Sequence, residues 1–351
     1  MKKQIFLKSW FFGVVIILCI VLFPILTLAD DSPLKPGWNA SVFGKDDEIG
    51  SVNWITDKKV LEAIKLVKKG KVVTLGKVYQ NDMPFFGKRN WKLTIPGLAT
   101  GELGSNNSIV YNDEYVVTEL GQVGTQFDGL GHIGVNTSRG NYFYNGNFLE
   151  DFGTAYGLNK LGVEKIAQKG YVTRGVLLDM AAYKGVERLP VPTGKAKNEP
   201  GIITVDDIKG AIKKQRISPI KQGDVVLFYT GHGNYWGSDW DSLSDEEKSE
   251  NTQLFNAGEP GPGITACRYL SRQKIAMVGS DTLGTEAIPG EDPNRPIDCH
   301  VEWMVKHGIT NIENLDLSEL VDNKVYEFMF VFAPLKMKGA TGSPGNPIAI
   351  Y

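Results

Sequence analysis

The sequence GQVGTQFDGLGHIG, residues 121–134, places two carboxamides, a carboxylate and an imidazole between closely spaced glycines. In an extended chain alternate side chains point to the same side, so Gln122, Gln126, Asp128 and His132 would form one polar row. Glycines within the segment permit bends. Burying polar side chains is costly unless they bind one another, a metal or a ligand. We therefore expect a functional site on one face of this segment.

The overall composition is that of a globular protein with a sizeable core. The 351 residues are 42% hydrophobic and 22% charged, with a formal net charge of -2. Nucleic-acid binding requires a basic surface, and the body of this sequence has no run of lysine and arginine beside aromatic residues. A nucleic-acid partner is therefore not expected, and a small-molecule substrate is.

The first 29 residues predict an export signal. Lys2, Lys3 and Lys8 precede an apolar run over residues 10–28, and small residues follow at a position suited to signal peptidase. Because about 20 apolar residues can span a bilayer, an uncleaved membrane anchor over residues 10–28 is the alternative. We expect a periplasmic or extracellular protein with no membrane contact beyond this segment. The predicted parts are the signal 1–29, a polar arm 30–45 and one domain 46–351.

Strand and helix patterns alternate through that domain. Amphipathic helices are predicted over residues 57–69 and 204–214, with Thr56 and Thr204 as capping residues, and buried strands over 175–180 and 224–230. Further predicted helices cover 161–169, 264–271 and 300–306. Residues 81–108, 139–147 and the Gly/Pro-containing tail are predicted loops, and 242–251 a solvated acidic segment. This alternation predicts a single α/β domain.

Two of the four histidines are weaker site candidates than the other two. His307 precedes Gly308 at the expected end of a helix, where an imidazole is favourable, and we assign it a structural role. His232 follows a buried strand, and residues at that position in α/β folds often face a site.

The other two histidines are each associated with an acid. His132 shares its segment with Asp128, and His300 is followed by Glu313 at the start of a predicted strand. These groups could bind a divalent metal, form a metal-free acid/base pair, or be buried structural hydrogen-bonding pairs. No GxSxG, HExxH, P-loop or GxGxxG motif supports serine, zincin, nucleotide or dinucleotide chemistry.

The cysteines do not form a disulfide framework. Cys19 lies inside the N-terminal apolar run, which leaves Cys267 and Cys299 in the body of the chain. In an oxidising compartment these two could pair, and a buried free thiol beside each predicted helix is the alternative.

Five motifs in the same order resemble the Putative cyclase family of metal-dependent hydrolases, which includes kynurenine formamidase (arylformamidase) and isatin hydrolase. The motifs are GTQFDGLGHIG at 124–134, PGPG at 260–263, IAMVGSDT at 275–282, ENLDLSEL at 313–320 and KGATGSP at 338–344. The resemblance implies an α/β fold, a single swivelling β/β/α domain with a mixed sheet and flanking helices. It also implies assembly as homo-dimers or homo-tetramers.

The family signature HxGTHxDxxxH implies roles for the central segment. Gln122 and Gln126 stand where the first two histidines of the signature are expected, and both of those histidines are metal ligands in the family. Asp128 stands at the metal-binding aspartate, and His132 stands at the last histidine, which is an acid/base group. Carboxamides bind transition metals through a neutral oxygen and more weakly than imidazoles. Gln126 would then be a weak ligand or a substrate contact.

A histidine and a glutamate further along the chain complete the metal site in the family, and His300 and Glu313 match them. The ligands Asp128, His300 and Glu313 would then hold one divalent ion, Mn²⁺ or Zn²⁺, with the two glutamines favouring an oxygen-preferring metal.

These observations favour an exported hydrolase of non-peptide amide or cyclic amide C–N bonds, similar to arylformamidase, in which His132 transfers a proton. The alternatives are a binding protein that kept the pocket without catalysis, and a metal-independent hydrolase that uses Asp128 and His132. Aromatic residues make an aromatic or cyclic substrate plausible. The expected substrate-binding residues are Gln122, His232, Tyr142 and Trp236.

Overall fold

The structure is a computed structural model that describes residues 32–34, 38, 41–96, 101–102, 104 and 106–351. The described residues do not include the predicted signal 1–29 or the alternative anchor 10–28. They also do not include residues 30–31, 35–37 and 39–40 of the predicted arm 30–45. None of the helices within the described ranges has the length and apolar character needed to cross a bilayer.

A nine-stranded mixed sheet forms the centre of the fold. Its strands are β1 (Val72–Thr74), β2 (Gln126–Asp128), β3 (Tyr171–Asp179), β4 (Val225–Tyr229), β5 (Met277–Ser280), β6 (Thr310–Glu313), β7 (Glu327–Phe332), β8 (Gly342–Pro344) and β9 (Ile348–Ile350). Their order in the sheet is β1-β9-β7-β3-β4-β5-β6-β2-β8. The strands β3, β4, β5 and β6 are parallel, and all other pairings are antiparallel.

Hydrophobic side chains cover both faces of the sheet. Along β3, Val176 and Leu178 pack into one buried cluster, whereas Leu177 packs into a second cluster on the opposite face. Alternate residues of a strand point to opposite faces, so a strand buried on both sides needs a continuous apolar run. The apolar sequence of β3 meets this need.

Nine α-helices surround the sheet in the described part of the chain. They are α1 (Asp57–Ile64), α2 (Leu149–Phe152), α3 (Val163–Ala167), α4 (Met180–Lys184), α5 (Val205–Gln215), α6 (Asp245–Asn256), α7 (Ile264–Arg272), α8 (Asp298–His300) and α9 (Ser318–Asp322). Helix α8 continues as the π-helix Val301–Lys306. The mixed sheet with flanking helices confirms the predicted α/β class.

The two helices that were predicted from their capping residues, α1 and α5, do begin at side-chain caps. Thr56 accepts a hydrogen bond from the backbone N–H of Lys59 at the start of α1. Thr204 and Asp207 form a reciprocal capping box at the start of α5. These contacts satisfy backbone N–H groups that have no partner within the helix.

Several segments predicted as irregular are regular. The segment 242–251, which was predicted only to be acidic and solvated, is mostly exposed and lies largely in helix α6, which begins at a capping box formed by Ser244 and Glu247. The predicted loop 81–108 contains Trp91–Thr94, which pairs with Tyr115–Thr118, and Gly101–Glu102, which pairs with Val110–Tyr111. The tail forms β8 and β9. In each case the helix or strand is stabilised by capping or by pairing with another strand, which the amino-acid composition of the segment does not indicate.

The remaining short elements lie outside the nine-stranded sheet. The strands are Val135–Thr137, Gly140–Phe143, Asn147–Phe148, Gly153–Thr154, Gly157–Leu158, Ile202–Ile203 and Gly261–Pro262, and the 3₁₀ helices are Gly50–Trp54, Tyr144–Gly146, His232–Trp236 and Trp240–Ser242. The predicted loop 139–147 is therefore mostly a hairpin strand and a helical turn.

Cys267 and Cys299 form a disulfide, which decides between the two alternatives that the sequence leaves open. The bond joins α7 to the residue that precedes His300. It therefore ties the start of α8 to a neighbouring helix.

Candidate active site

Strand β2 is shorter than the polar row predicted for an extended segment. Only Gln126–Asp128 is a strand, and the chain turns at both of its ends. Before it, Gly124 has φ +62°, a left-handed conformation that favours glycine. After it, the backbone N–H of His132 donates to the carbonyl of Gly129 at 2.9 Å. The prediction of one extended row from Gln122 to His132 was therefore wrong. The turns nevertheless place the side chains of Gln122 and His132 close to Asp128.

The two neighbours of β2 in the sheet are β6 and β8. Strand β6 runs antiparallel to β2, and in their register Asn311 lies opposite Asp128 and Glu313 lies opposite Gln126. The side chains of the second pair meet, because Nε2 of Gln126 donates to Oε2 of Glu313 at 2.5 Å. The antiparallel pairing thus brings two predicted site residues together across 187 positions of sequence.

The two oxygens of Asp128 face different groups. Oδ1 accepts a hydrogen bond from Nε2 of Gln122 at 2.8 Å and lies 3.8 Å from Nε2 of His132. Oδ2 lies 3.8 Å from Nε2 of His300. Burial alone would raise the pKa of Asp128, but His132 and His300 outweigh it and the pKa is lowered. Asp128 therefore joins the two histidines of the site.

His300 is buried among carboxylates. Its Nδ1 lies 2.6 Å from Oε1 of Glu286, and its Nε2 lies 3.3 Å from Oε1 of Glu313. Burial would lower the pKa of His300, but the neighbouring carboxylates of Asp128, Glu286 and Glu313 raise it well above its usual value. The imidazole is therefore oriented by one carboxylate and faces two others.

Three further buried residues belong to this site and were not predicted. Glu286 accepts the backbone N–H groups of Cys299 and His300 at 3.0 and 2.9 Å. Asn311 donates to Oε1 of Glu313, and because it lies two positions earlier in the same strand, strand alternation could have identified it. Glu259 accepts the backbone N–H groups of Leu283 and Gly284, and burial, together with the nearby charge of Glu313, raises its pKa well above the usual value.

The donor set fits a single divalent cation. One ligand atom each from Asp128, His300 and Glu313 lies within 4.8 Å of the others. Oε1 of Gln126 is buried and has no hydrogen-bond partner among the described residues. Burial and the nearby charge of Asp128 raise the pKa of Glu313 to about 7. Buried charges need a counter-charge or a metal, and a cation between these atoms would offset the charges of the Asp128 and Glu313 carboxylates.

The other predicted substrate-binding residues lie in side-chain clusters of their own. His232 is buried, with Nε2 3.0 Å from the carbonyl oxygen of Phe255, and burial lowers its pKa to about 4. Tyr142 packs edge-on against Trp38 and Phe148. Trp236 lines a surface cavity of about 190 Å³ that also includes Lys77 and Asp316. Contact of these residues with a substrate stays a prediction, whereas Gln122 does touch Asp128.

Sequence comparison identifies the class of protein. The sequence profile described as Putative cyclase matches residues 73–287, more than half of the chain. The chain therefore belongs to the Putative cyclase family, as its motifs predict.

The similarity of this chain to individual proteins is low in sequence identity or covers only part of the chain. A segment of 116 residues is 30% identical to the isatin hydrolase of Roseibium aggregatum, which is 32% of this chain and 42% of that protein's length. The crystal structure of a novel cyclase aligns over 90% of this chain and 99% of its own, with 27% identity and a TM-score of 0.72. Isatin hydrolase A from Labrenzia aggregata, bound to benzyl benzoate, aligns over 80% and 93%, with 19% identity and a TM-score of 0.52. The last of these shows a common fold only.

Proposed function

We propose that this chain is an exported, metal-assisted hydrolase of non-peptide amide or cyclic amide C–N bonds. The convergence of Asp128, His300 and Glu313 on one buried point is the observation that carries the proposal. The similarity to isatin hydrolase supports the substrate class, because isatin is a cyclic amide. Export rests on the sequence of residues 1–29 alone.

Asp128, His300 and Glu313 would hold the cation, with Oε1 of Gln126 as a weak fourth donor. When bound, the cation supplies Lewis-acid chemistry, polarising the substrate carbonyl and acidifying a water molecule. Most of these donors are oxygens and Gln126 offers a neutral one, so an oxygen-preferring ion such as Mn²⁺ should compete well with Zn²⁺.

His132 is placed to move a proton. Its side chain is 23% exposed, and its Nε2 lies 3.8 Å from Oδ1 of Asp128. It therefore combines access to a substrate with a position beside the carboxylate of Asp128. In this scheme it takes a proton from the water whose oxygen bonds to the carbonyl carbon and gives it to the leaving nitrogen. The C–N bond then breaks to give a carboxyl group and a neutral amine, which remains part of the same molecule when the substrate is cyclic.

Gln122 would limit the movement of Asp128. Its carboxamide donates to the same Oδ1 that faces His132, and the backbone carbonyl of Gln122 accepts a hydrogen bond from the guanidinium of Arg89 at 3.1 Å. A hydrogen bond to a carboxylate stabilises the ionised form. Gln122 thus keeps Asp128 a base and a ligand.

Metal analysis and hydrolysis assays on the same protein test the proposal. Protein purified without chelator should contain one Mn²⁺ or Zn²⁺ per chain and hydrolyse at least one of N-formylkynurenine, isatin or a simple cyclic amide. EDTA should abolish this turnover and Mn²⁺ should restore it. Glu313→Gln should lose both metal and turnover, whereas the exposed Glu319→Gln is the matched control.

Two results would contradict this function in different ways. Protein with no metal and no turnover over the whole panel would favour a binding protein. Turnover that survives EDTA would instead favour a metal-independent hydrolase that uses Asp128 and His132.

A further inference from the structure

A cavity of about 390 Å³ has a lining separate from that of the candidate site. Its walls come from residues 41–43 of the arm, from the end of the 3₁₀ helix Gly50–Trp54, and from the ends of helix α7 and of the π-helix Val301–Lys306. Small-molecule sites in proteins usually measure about 300–1,000 Å³. The cavity therefore has room for a small ligand, and the proposed hydrolysis does not use it.

The charged residues that line this cavity are all basic among the described residues. Arg272 and Lys274 are exposed, and within the described part of the chain neither side chain makes a hydrogen bond or an ion pair. Lys306 and His307 also line the cavity, but each already lies 3.2 Å from the carboxylate of Glu302. Arg272 and Lys274 are therefore the two cations that can pair with a negatively charged ligand.

Aromatic rings form another part of the lining, which includes Phe43, Trp54 and Tyr144. The rings of Phe43 and Trp54 meet edge-on, with their centroids 4.6 Å apart, and both residues are only partly buried. Nζ of Lys274 lies 5.0 Å from the centroid of the Trp54 ring, a cation–π distance. The cavity thus places a positive charge directly beside rings that can pack against another aromatic ring.

We infer that this cavity binds a small aromatic carboxylate. The planar guanidinium of Arg272 can donate two parallel hydrogen bonds to a carboxylate, and Lys274 adds a second positive charge. The ring of the ligand would pack against Trp54 and Phe43. A simple inorganic anion would leave these rings unused, and a neutral aromatic compound would leave both cations without a partner. The inference is independent of the proposed hydrolysis, because it involves none of the residues of the candidate site.

Ligand-observed NMR titration of the full chain with benzoate tests the inference without reference to metal or turnover. Binding should be saturable. Benzamide, which has the ring without the charge, and acetate, which has the charge without the ring, should each bind about tenfold or more weakly. Arg272→Gln/Lys274→Gln should weaken benzoate binding by about tenfold or more. Lys195→Gln/Lys197→Gln, at two exposed lysines with the same spacing outside the cavity, is the matched control and should bind benzoate as the wild type does.

Anomalous diffraction locates the ligand in the unchanged chain, which covers the case in which the double glutamine variant does not fold. Crystals soaked with para-iodobenzoate should show the iodine beside Trp54 and Arg272. Iodine found only at Asp128 and Glu313 would overturn the inference, because the carboxylate would then be a ligand of the candidate site. Absence of benzoate binding to the wild type would also overturn it. So would equal affinity for benzoate and benzamide, or an equal loss of affinity in the two double variants.

Discussion

Oε1 of Glu286 lies 2.6 Å from Nδ1 of His300, and the same carboxylate accepts the backbone N–H groups of Cys299 and His300. The imidazole therefore has one nitrogen engaged, and its Nε2 faces Glu313 and Asp128. A carboxylate in this position fixes the tautomer and ring orientation of a metal-binding histidine.

Glu286→Gln should weaken metal binding without removing any proposed ligand. Loss of an outer carboxylate partner costs about 10–100-fold in metal affinity. Competition with a chromophoric chelator for Mn²⁺ or Zn²⁺ would measure the change. Glu291→Gln, in the same loop, is the control and should bind metal as the wild type does. Equal metal affinity of the Glu286→Gln and Glu291→Gln variants would contradict a role of Glu286 in positioning His300.

His132→Ala should lower turnover by about 10²–10⁴-fold, the usual contribution of a general acid or base. Metal content should be unchanged, because the proposed donors lie on Asp128, His300 and Glu313. Steady-state kinetics and metal analysis of one preparation would check both statements. His307→Ala is the matched control, since that imidazole pairs with Glu302. Loss of metal together with activity would make His132 a ligand.

Glu302 should contribute stability that depends on pH. Its carboxylate lies 3.2 Å from both His307 Nε2 and Lys306 Nζ. Burial opposes its ionisation, but the contacts with His307 and Lys306 outweigh burial and lower its pKa from 4.5 to about 2. A lowered pKa in the folded state stabilises the protein above pH 4.5, and this contribution is lost as the pH falls towards 2.

The expected size at pH 7 is up to about 3 kcal/mol. Glu302→Gln should therefore lower the free energy of unfolding in urea at pH 7, and the difference from wild type should shrink by about half at pH 3. An equal difference at both pH values would show that the carboxylate charge is not responsible.

Removal of the disulfide should destabilise the fold. The bond closes a loop over a sequence separation of 32, and a disulfide of this kind contributes about 2–4 kcal/mol. Cys267→Ser/Cys299→Ser should unfold at lower urea concentration than the wild type. Dithiothreitol should lower the wild-type midpoint to a similar value and leave the variant unchanged. A reductant effect of equal size on both proteins would exclude the disulfide as the cause.

Local patterns predicted the elements whose causes are local. Thr56 and Thr204 begin helices because their hydroxyls bond nearby N–H groups, and the apolar runs at β3 and β4 are buried strands. The groups Asp128, His132, His300 and Glu313 were found because histidine is scarce and each candidate had an acid nearby in sequence. Their assignment to metal binding or proton transfer came from the resemblance to the family and stays a prediction.

Other features depend on contacts between distant residues. The pairing of β2 with β6 and β8 is decided by tertiary structure, so the short strand and its two turns could not be inferred from side-chain alternation. Glu286 reaches His300 from a loop 14 positions away, and no local period relates them. The strands of the tail lie in glycine- and proline-containing sequence whose order comes from the partners they join.

The position of β2 between β6 and β8 sets the time at which the candidate site can form. Both neighbours are built from residues after 309, so a ribosome has to synthesise most of the described chain before the strand that carries Asp128 gains a partner. His300 and Glu313 are likewise late to appear. A nascent chain cannot assemble these donors around an ion. If the chain crosses a membrane unfolded and binds a cation as proposed, it will take up that cation in the compartment in which it folds, and the metal supply there will decide which ion it carries.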